Sequence, residues 1–183
     1  MTDTLGQDIR ALRKTRAMTL QDLAEAVGRS VGWLSQVERS QTTPTISDLG
    51  RIADVFGVTI SFFFRSASRS PEERGTIQRA DDRTAIGSLA SGLSEELLSP
   101  HLSGSFEMIQ STFAAKASGA GKPRADREDG GVVVQGSLTL TVGTLQTTLQ
   151  AGDSFQFAGK AYSWRNDGDV PAVVIWVISP PVY

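Results

Sequence analysis

The stretch TLQDLAEAVGRSVGWLSQVE, residues 19–38, decides the first half of the fold. Thr19 and Asp22 have the spacing of a helix N-cap with an acidic residue at the third helical position. Gly28 stands where a helix would end in a left-handed residue, and Ser30 can cap the next helix. The apolar residues of the first helix recur at i, i+3, i+4 and i+7: Leu20, Leu23, Ala24 and Val27. The stretch therefore predicts two short helices joined by a tight turn.

The same helical spacing extends to both sides of this stretch. Thr45 and Asp48 repeat the cap, and Gly57 repeats the C-terminal glycine. Pro44 precedes the second cap, in the loop between helices. Together these signals predict an all-α domain of five helices, near 4–16, 20–27, 30–38, 46–56 and 60–64.

Beyond Gly75 the hydrophobic pattern changes to that of β-strands. Leu138, Leu140 and Val142 alternate with threonines, which is the period of a half-buried strand. Frequent glycines separate short apolar runs, as in a β-barrel or jelly roll. The chain is therefore predicted to be a multidomain α + β protein, with a helical domain at 1–66, a polar linker at 67–75 and a β-domain at 76–183.

Composition excludes several classes of function. The chain of 183 residues has no cysteine, so disulfides, thiolate catalysis and cysteine-ligated metals are excluded. No apolar run is long enough to span a membrane, and the mixed charge of the first ten residues does not resemble a signal peptide. These features predict a cytoplasmic protein with no membrane partner. Residues 1–70 contain nine basic and seven acidic residues, a net charge of +2 within a chain of net charge −2.

Residues 5–64 resemble the helix-turn-helix domain of the phage-repressor class, the XRE family, which has a lambda-repressor-like fold. The resemblance implies that the second helix of the motif enters the major groove of double-stranded DNA. Leu34 and Val37 are then expected to face inward. The residues expected to contact DNA are Gln21, Ser30, Val31, Gly32, Ser35, Gln36, Arg39 and Thr43.

Three of these residues carry specific expectations. Gln36 is expected to contact adenine, and Arg39 to contact phosphate or guanine. Gly32 contributes no side chain, so we expect few direct contacts with bases and partly indirect recognition of the DNA sequence. The resemblance also pairs Arg13 with Glu38 inside the domain, as a structural ion pair. Trp33 and the aromatic run Phe62–Phe64 are expected to pack rather than bind.

Residues 104–183 resemble the small-barrel cupin fold, through GKPRADREDGGVVVQGSLTL and GDSFQFAGKAYSWRN. In that family, histidines and a glutamate hold a metal ion. Here the corresponding places fall at about Pro123 and Ala125, at Asp129 and at Tyr162, so no imidazole remains. The resemblance thus predicts a barrel with no metal and no cofactor.

Three functions for the barrel remain open. The first is a pocket for an unknown small-molecule effector, an anion or zwitterion, lined by Gln110, Arg124, Arg127, Tyr162 and Trp164. The second is a packed barrel that serves only for dimerisation or as a structural partner. The third is a cupin lyase, isomerase or oxygenase with a DNA-binding head, which the missing histidines disfavour. The first implies a transcriptional regulator that binds a palindromic operator as a homodimer and is not an enzyme.

Overall fold

A computed structural model describes residues 3–64, 72–73, 75–86, 92–121 and 125–181. The chain divides into two compact units. Unit 1 comprises Met1–Thr84, Ser99–Gly104 and Pro181–Tyr183, and unit 2 comprises Ala85–Leu98 and Ser105–Pro180. Most of the predicted linker at 67–75 lies outside the described residues. No helix among the described residues is long and apolar enough to cross a membrane.

Unit 1 is built on short capped helices, as its sequence predicts. Thr19 and Thr45 each form a complete capping box with the aspartate three residues later. Gly28 and Gly57 adopt left-handed φ values of 68° and 66°, which favour glycine at a helix end. The helices found within the described residues are α1 (Asp3–Thr15), α2 (Leu20–Val27), α3 (Val31–Glu38) and α4 (Ile46–Phe56).

The fifth predicted helix is a 3-10 helix rather than an α-helix. It spans Ile60–Phe64, directly after the glycine that ends α4. Phe62 and Phe63 are buried in it, as expected, whereas Phe64 is 43% exposed. The expectation of five helices is corrected accordingly, since five residues suffice for a 3-10 segment but barely exceed one α-helical turn. A second 3-10 segment spans Ala80–Asp82.

The helical core forms where the apolar stripes of the helices meet. Its members share helical spacing within each element and are almost fully buried. They are Ile9, Leu12, Leu23, Ala24, Val27, Leu34, Val37, Leu49, Ile52, Phe56 and Phe62.

Unit 2 folds as two antiparallel sheets. One sheet has the strand order β1-β2-β3-β10-β5-β8 and the other has the order β4-β9-β6-β7. Non-consecutive neighbours such as β3 and β10 show that the strands cross between sheets, as in a jelly roll. The strands found within the described residues are β1 (Thr84–Ile86), β2 (Leu93–Leu97), β3 (Glu107–Phe113), β4 (Ser118–Gly121), β5 (Glu128–Gln135), β6 (Ser137–Val142), β7 (Leu145–Gln150), β8 (Ser154–Ala158), β9 (Tyr162–Arg165) and β10 (Ala172–Ser179).

The larger sheet has a buried face and a partly exposed apolar face. Along β10 the buried residues are Ala172, Val174, Trp176 and Ile178, and they alternate with less buried valine and isoleucine. On β3, which pairs with β10, the buried residues are Glu107, Ile109, Ser111 and Phe113. Successive side chains of a strand point to opposite faces, so these two rows lie on the inner face of the barrel.

Candidate nucleic-acid interface and barrel site

Helix α3 presents one face to its own domain and the other to solvent. Its first turn is capped by Ser30, whose hydroxyl oxygen accepts a hydrogen bond from the Trp33 backbone N–H at 3.1 Å. Leu34 and Val37 are fully buried against the helical core, as predicted. The opposite face is therefore available along the whole length of α3.

The residues expected to contact DNA lie on the accessible surface around α3. Val31 is 42% exposed at the start of the helix. Gly32 has no atom within 4 Å of the position where a Cβ would stand, so it leaves the backbone open to a partner. Among the eight, Ser35 is half-buried and the others are exposed: Gln21, Ser30, Val31, Gly32, Gln36, Arg39 and Thr43.

Two of these side chains are held by the loop that follows α3. The Gln36 Oε1 atom accepts a hydrogen bond from the Thr42 hydroxyl at 3.3 Å. The Arg39 Nε–H donates to the Gln41 Oε1 atom at 3.2 Å. These contacts orient an amide and a guanidinium on the exposed face, the two groups that pair best with adenine and with guanine or phosphate.

A buried ion pair fixes the C-terminal end of α3 to α1. Arg13 donates from Nε to Glu38 Oε1 at 2.6 Å and from Nη2 to Glu38 Oε2 at 2.8 Å. Arg13 also donates to the Met18 carbonyl at 2.9 Å. Hydrogen bonding to Glu38 raises the pKa of Arg13. The predicted pairing inside the domain is confirmed, and Glu38 is 7% exposed, which leaves it little surface for DNA.

A second ion pair, which sequence reasoning missed, fixes the other end of the motif. Arg29 follows α2 and donates to both carboxylate oxygens of Asp48, at 2.8 and 3.1 Å. The hydrogen bonds from Arg29 lower the pKa of Asp48 to about 2. The Arg29 guanidinium also lies 5.3 Å from the centre of the Trp33 ring. The turn between α2 and α3 is thereby joined to the first turn of α4.

The barrel site centres on Tyr162, Arg127 and Asp129. The Arg127 Nε–H donates to Asp129 Oδ1 at 2.7 Å, and its Nη2 contacts the same oxygen. Their side chains are 11% and 5% exposed, so the pair is buried. Burial raises the pKa of Tyr162, and the positive charge of Arg127 acts in the opposite direction. The site is therefore a desolvated guanidinium, carboxylate and phenol.

Aromatic rings form the wall beside this site. The Tyr162 ring centre lies 5.2 Å from that of Phe157 and 5.6 Å from that of Trp176. Phe155 packs edge-on against Trp176 at 4.7 Å. The Tyr162 ring lies directly on Gly121 of the paired strand, where any Cβ would overlap the ring at 2.1 Å. Glycine at this position therefore gives the phenol its place inside the barrel.

Acidic side chains extend the polar site across β2 and β3. Glu107 is fully buried and interacts electrostatically with Arg127. Glu95 accepts a hydrogen bond from the Ser111 hydroxyl at 3.0 Å and interacts electrostatically with Tyr162. Sequence reasoning missed these residues. The signal was the strand period in EMIQSTF, which places Glu107 and Ser111 on the same face as the buried Ile109 and Phe113.

The predicted pocket residues do not all meet. Tyr162 and Arg127 lie together inside the barrel. Gln110 alternates with the buried row of β3 and donates to Glu96 on the neighbouring strand at 3.3 Å, so it lies on the outer face. Trp164 is 5% exposed and packs edge-on against Phe113 at 4.6 Å, within the core. Arg124 lies outside the described residues.

The residues present do not fit the metal ion that members of the cupin family hold at these places. Asp129 stands at one ligand place, and its Oδ1 atom already accepts from the Arg127 guanidinium. Tyr162 stands at another, with the same positive charge beside it. Across the described part of the chain, no group of three His, Cys, Asp or Glu residues is placed to hold a metal ion. A divalent cation would meet a fixed positive charge here in place of imidazole ligands.

Comparison with known proteins agrees with both halves of this description. A family model described as a helix-turn-helix domain matches residues 4–61, and one described as a cupin domain matches residues 111–178. The transcriptional regulator SutR of Escherichia coli (strain K12) is 31% identical over 170 residues, 90% of this chain and 88% of SutR. The transcriptional regulator PuuR of the same organism is 26% identical over 163 residues, 88% of this chain and 86% of PuuR.

A solved structure shares its fold with part of the chain. KdgF from Halomonas sp. is 17% identical, with a TM-score of 0.52 over 58% of this chain and 94% of KdgF. At this level of identity the likeness concerns the fold alone.

Proposed function

The chain belongs to the XRE-family helix-turn-helix transcriptional regulators with a C-terminal cupin domain, and from this premise we propose how it functions. We propose that it binds a palindromic operator as a homodimer and that a small molecule controls this binding. The observation that carries the proposal is the exposed face of α3, held at its two ends by buried or half-buried ion pairs. Such anchoring fixes the angle at which the helix can enter a major groove.

The accessible face of α3 supports direct but sparse reading of bases. Gln36 offers an amide for adenine, Arg39 a guanidinium for guanine or phosphate, and Val31 an apolar contact for a thymine methyl. Gly32 brings no side chain, so the backbone can approach the duplex closely. Gln21 and Thr43 are exposed on either side and suit phosphate contacts.

Fluorescence anisotropy with the full chain tests DNA binding. Labelled duplexes carrying a site selected from fragmented genomic DNA are compared with a scrambled duplex over a range of salt concentrations. We expect the selected site to bind more tightly, with log affinity falling by about 0.9 per phosphate contact for each unit of log salt. Equal affinity for both duplexes at every salt concentration would contradict the proposal.

The barrel is the proposed effector site. Tyr162 is a half-buried residue beside the buried Arg127–Asp129 pair. The rings of Phe155, Phe157 and Trp176 offer an apolar wall beside it. A few oriented polar groups on an aromatic wall are typical of small-molecule sites. Gln110 and Trp164 are not part of the proposed pocket, because one faces outward and the other packs in the core.

A thermal-shift screen tests effector binding, because a ligand of the folded state raises the melting temperature. The full chain is screened against amino acids, carboxylates, amines and sugars. Tyr162→Phe, which removes only the hydroxyl, is expected to weaken the effector by about 0.5–1.5 kcal/mol. Tyr183→Phe, at the only other tyrosine of the chain, is the matched control. If no compound raises the melting temperature, the barrel is left with dimerisation as its role.

The outer face of the larger sheet is the proposed dimer interface. Val177 is 43% exposed on β10, and its register partners Met108 and Gly130 lie on the same face. Ile175 and Val173 continue this apolar row. Joining two copies through this face would supply the two-fold pair of helices that a palindromic operator requires.

We also propose that the protein acts in the cytoplasm and is not an enzyme. Its relatives SutR and PuuR are named as transcriptional regulators. The barrel's described residues do not bring together the ligands that metal-dependent cupin chemistry needs.

A further inference from the structure

We propose that Arg127 is a built-in cation that replaces a bound metal ion in this barrel and holds Asp129 and Tyr162 in position. The inference goes beyond the proposed function, because it concerns how the site is built and holds whether or not an effector binds. It makes Arg127 a positioning residue.

The Arg127 guanidinium lies beside the places that metal ligands occupy in cupins. The places that the cupin resemblance gives to metal ligands include Asp129 and Tyr162, which lie on different strands, β5 and β9. Arg127 donates from Nε to the Asp129 carboxylate at 2.7 Å, and its positive charge acts to lower the pKa of the Tyr162 phenol. The guanidinium therefore bonds to one side chain at a metal-ligand place and acts electrostatically on a second.

Buried carboxylates lie on the same face of the sheet as this guanidinium's partner. Glu107 on β3 and Asp129 on β5 are both buried, and both pair in register with Ile178 on the strand between them, β10. Acidic groups at this density in a desolvated interior need a compensating cation. Arginine supplies it permanently, because a guanidinium is not deprotonated in proteins.

The Arg127–Asp129 ion pair is buried. The side chains of Arg127 and Asp129 are 11% and 5% exposed, so the ion pair is little screened by water. A divalent ion entering this site would have to displace the guanidinium or lie beside it. Neither arrangement is favourable in a low-dielectric interior. The barrel should thus remain ordered without metal and should not acquire one.

Metal binding gives the first test, on the unmodified full chain. The protein is dialysed against Fe²⁺, Mn²⁺, Zn²⁺ or Ni²⁺ and analysed for metal, and its melting is recorded with and without a chelator. We expect metal content far below one ion per chain and the same melting temperature in both conditions. About one ion per chain, with melting lowered by the chelator, would overturn the proposal.

Titration of the phenol gives the second test. In a Tyr183→Phe background Tyr162 is the sole tyrosine, so tyrosinate absorbance reports on it alone. Arg127→Met removes the positive charge, and its midpoint should move to higher pH, whereas Arg127→Lys should stay near the parent. Arg165→Met, at an exposed arginine paired with Asp167, is the matched control and should leave the midpoint unchanged.

Circular dichroism over the same pH range confirms that each variant is folded at its midpoint. A midpoint that is the same in folded Arg127→Met and in the parent would show that Arg127 does not position the phenol. If Arg127→Met fails to fold, Arg127→Gln, which keeps a hydrogen-bonding group and removes the charge, replaces it in the same titration, and a midpoint equal to the parent's would overturn the proposal.

Discussion

Gln36 lies on the exposed face of α3. Substitution of this residue can show whether its side chain contacts a base or the DNA backbone. Its Oε1 atom accepts from Thr42, which orients the amide before DNA is bound. A bidentate contact with adenine uses both the oxygen and the nitrogen of the amide. Gln36 is therefore the residue at which a change should alter sequence preference most.

Gln36→Ala is expected to cost about 1–3 kcal/mol of discrimination between the operator and a duplex changed at one base pair. Competition binding with both duplexes measures this difference. Gln146→Ala, at an exposed glutamine of the barrel, is the matched control and should change neither affinity. An equal loss on operator and random duplexes would mean that Gln36 contacts the DNA backbone.

The Arg13–Glu38 ion pair joins helix α1 to helix α3. Glu38 is therefore expected to stabilise the packing of these two helices. Glu38→Ala leaves the buried guanidinium of Arg13 without its carboxylate, which should lower the unfolding free energy of unit 1 by about 3 kcal/mol. DNA affinity should fall with it. Denaturant unfolding measures the effect, and Glu25→Ala, at an exposed position of α2, is the control. Lost DNA binding with unchanged stability would assign Glu38 to the interface instead.

Helix α4 is joined to the α2–α3 turn by the Arg29–Asp48 pair, which makes a pH-dependent contribution. The pKa of Asp48 is lowered from 3.8 to about 2, so this contribution is fully present above pH 3.8 and is lost as the pH falls through about 2. Because Arg29 is partly exposed, solvent screening makes this contribution smaller than that of a fully buried ion pair.

Asp48→Asn should therefore be less stable than the parent at pH 5, and the deficit should shrink as the pH falls towards 2. Urea unfolding at a series of pH values measures the free energy of unfolding of the variant and of the parent. Asp54→Asn, at an exposed position of the same helix, should run parallel to the parent. A deficit for Asp48→Asn that is constant with pH would contradict the assigned ion pair.

The elements differ in how far the sequence predicts them. The caps of α2, α3 and α4 depend on residues three apart, so Thr19, Ser30 and Thr45 could be placed from the sequence alone. The barrel site depends on pairing between distant strands, as in Gly121 with Tyr162. Its inward and outward positions follow from the strand register, which the sequence alone does not give. The sequence therefore predicts Gln110 in the pocket and does not predict Glu107 there.

The role of Arg127 likewise cannot be predicted from the sequence alone. The sequence places a positive charge two residues before Asp129, and an arginine there can serve either as a ligand for an anion or as an internal ion partner. Burial of both side chains favours the second role. The family of the chain could be recognised from local motifs, whereas the chemistry of its barrel required the packing of β2, β3, β5 and β9.

A palindromic operator requires two copies of α3, and therefore a dimer of the whole molecule. Val177→Glu places a charge on the exposed apolar face of β10 and should convert a dimer to monomers, because an unpaired charge is costly in an interface. Sedimentation velocity measures the change. Leu145→Glu, at a 64% exposed residue in unit 2, is the matched control. A dimer that survives Val177→Glu would place the interface elsewhere.

The most direct test of sequence-specific regulation is selection of the full chain on a random duplex library, followed by sequencing of the bound DNA. The account predicts enrichment of a two-fold symmetric motif whose half-sites are centred about 10 base pairs or a multiple of that distance apart. Gln36→Ala should lose preference at one position of each half-site. Bound DNA with no enriched motif, or with a single asymmetric half-site, would contradict the account.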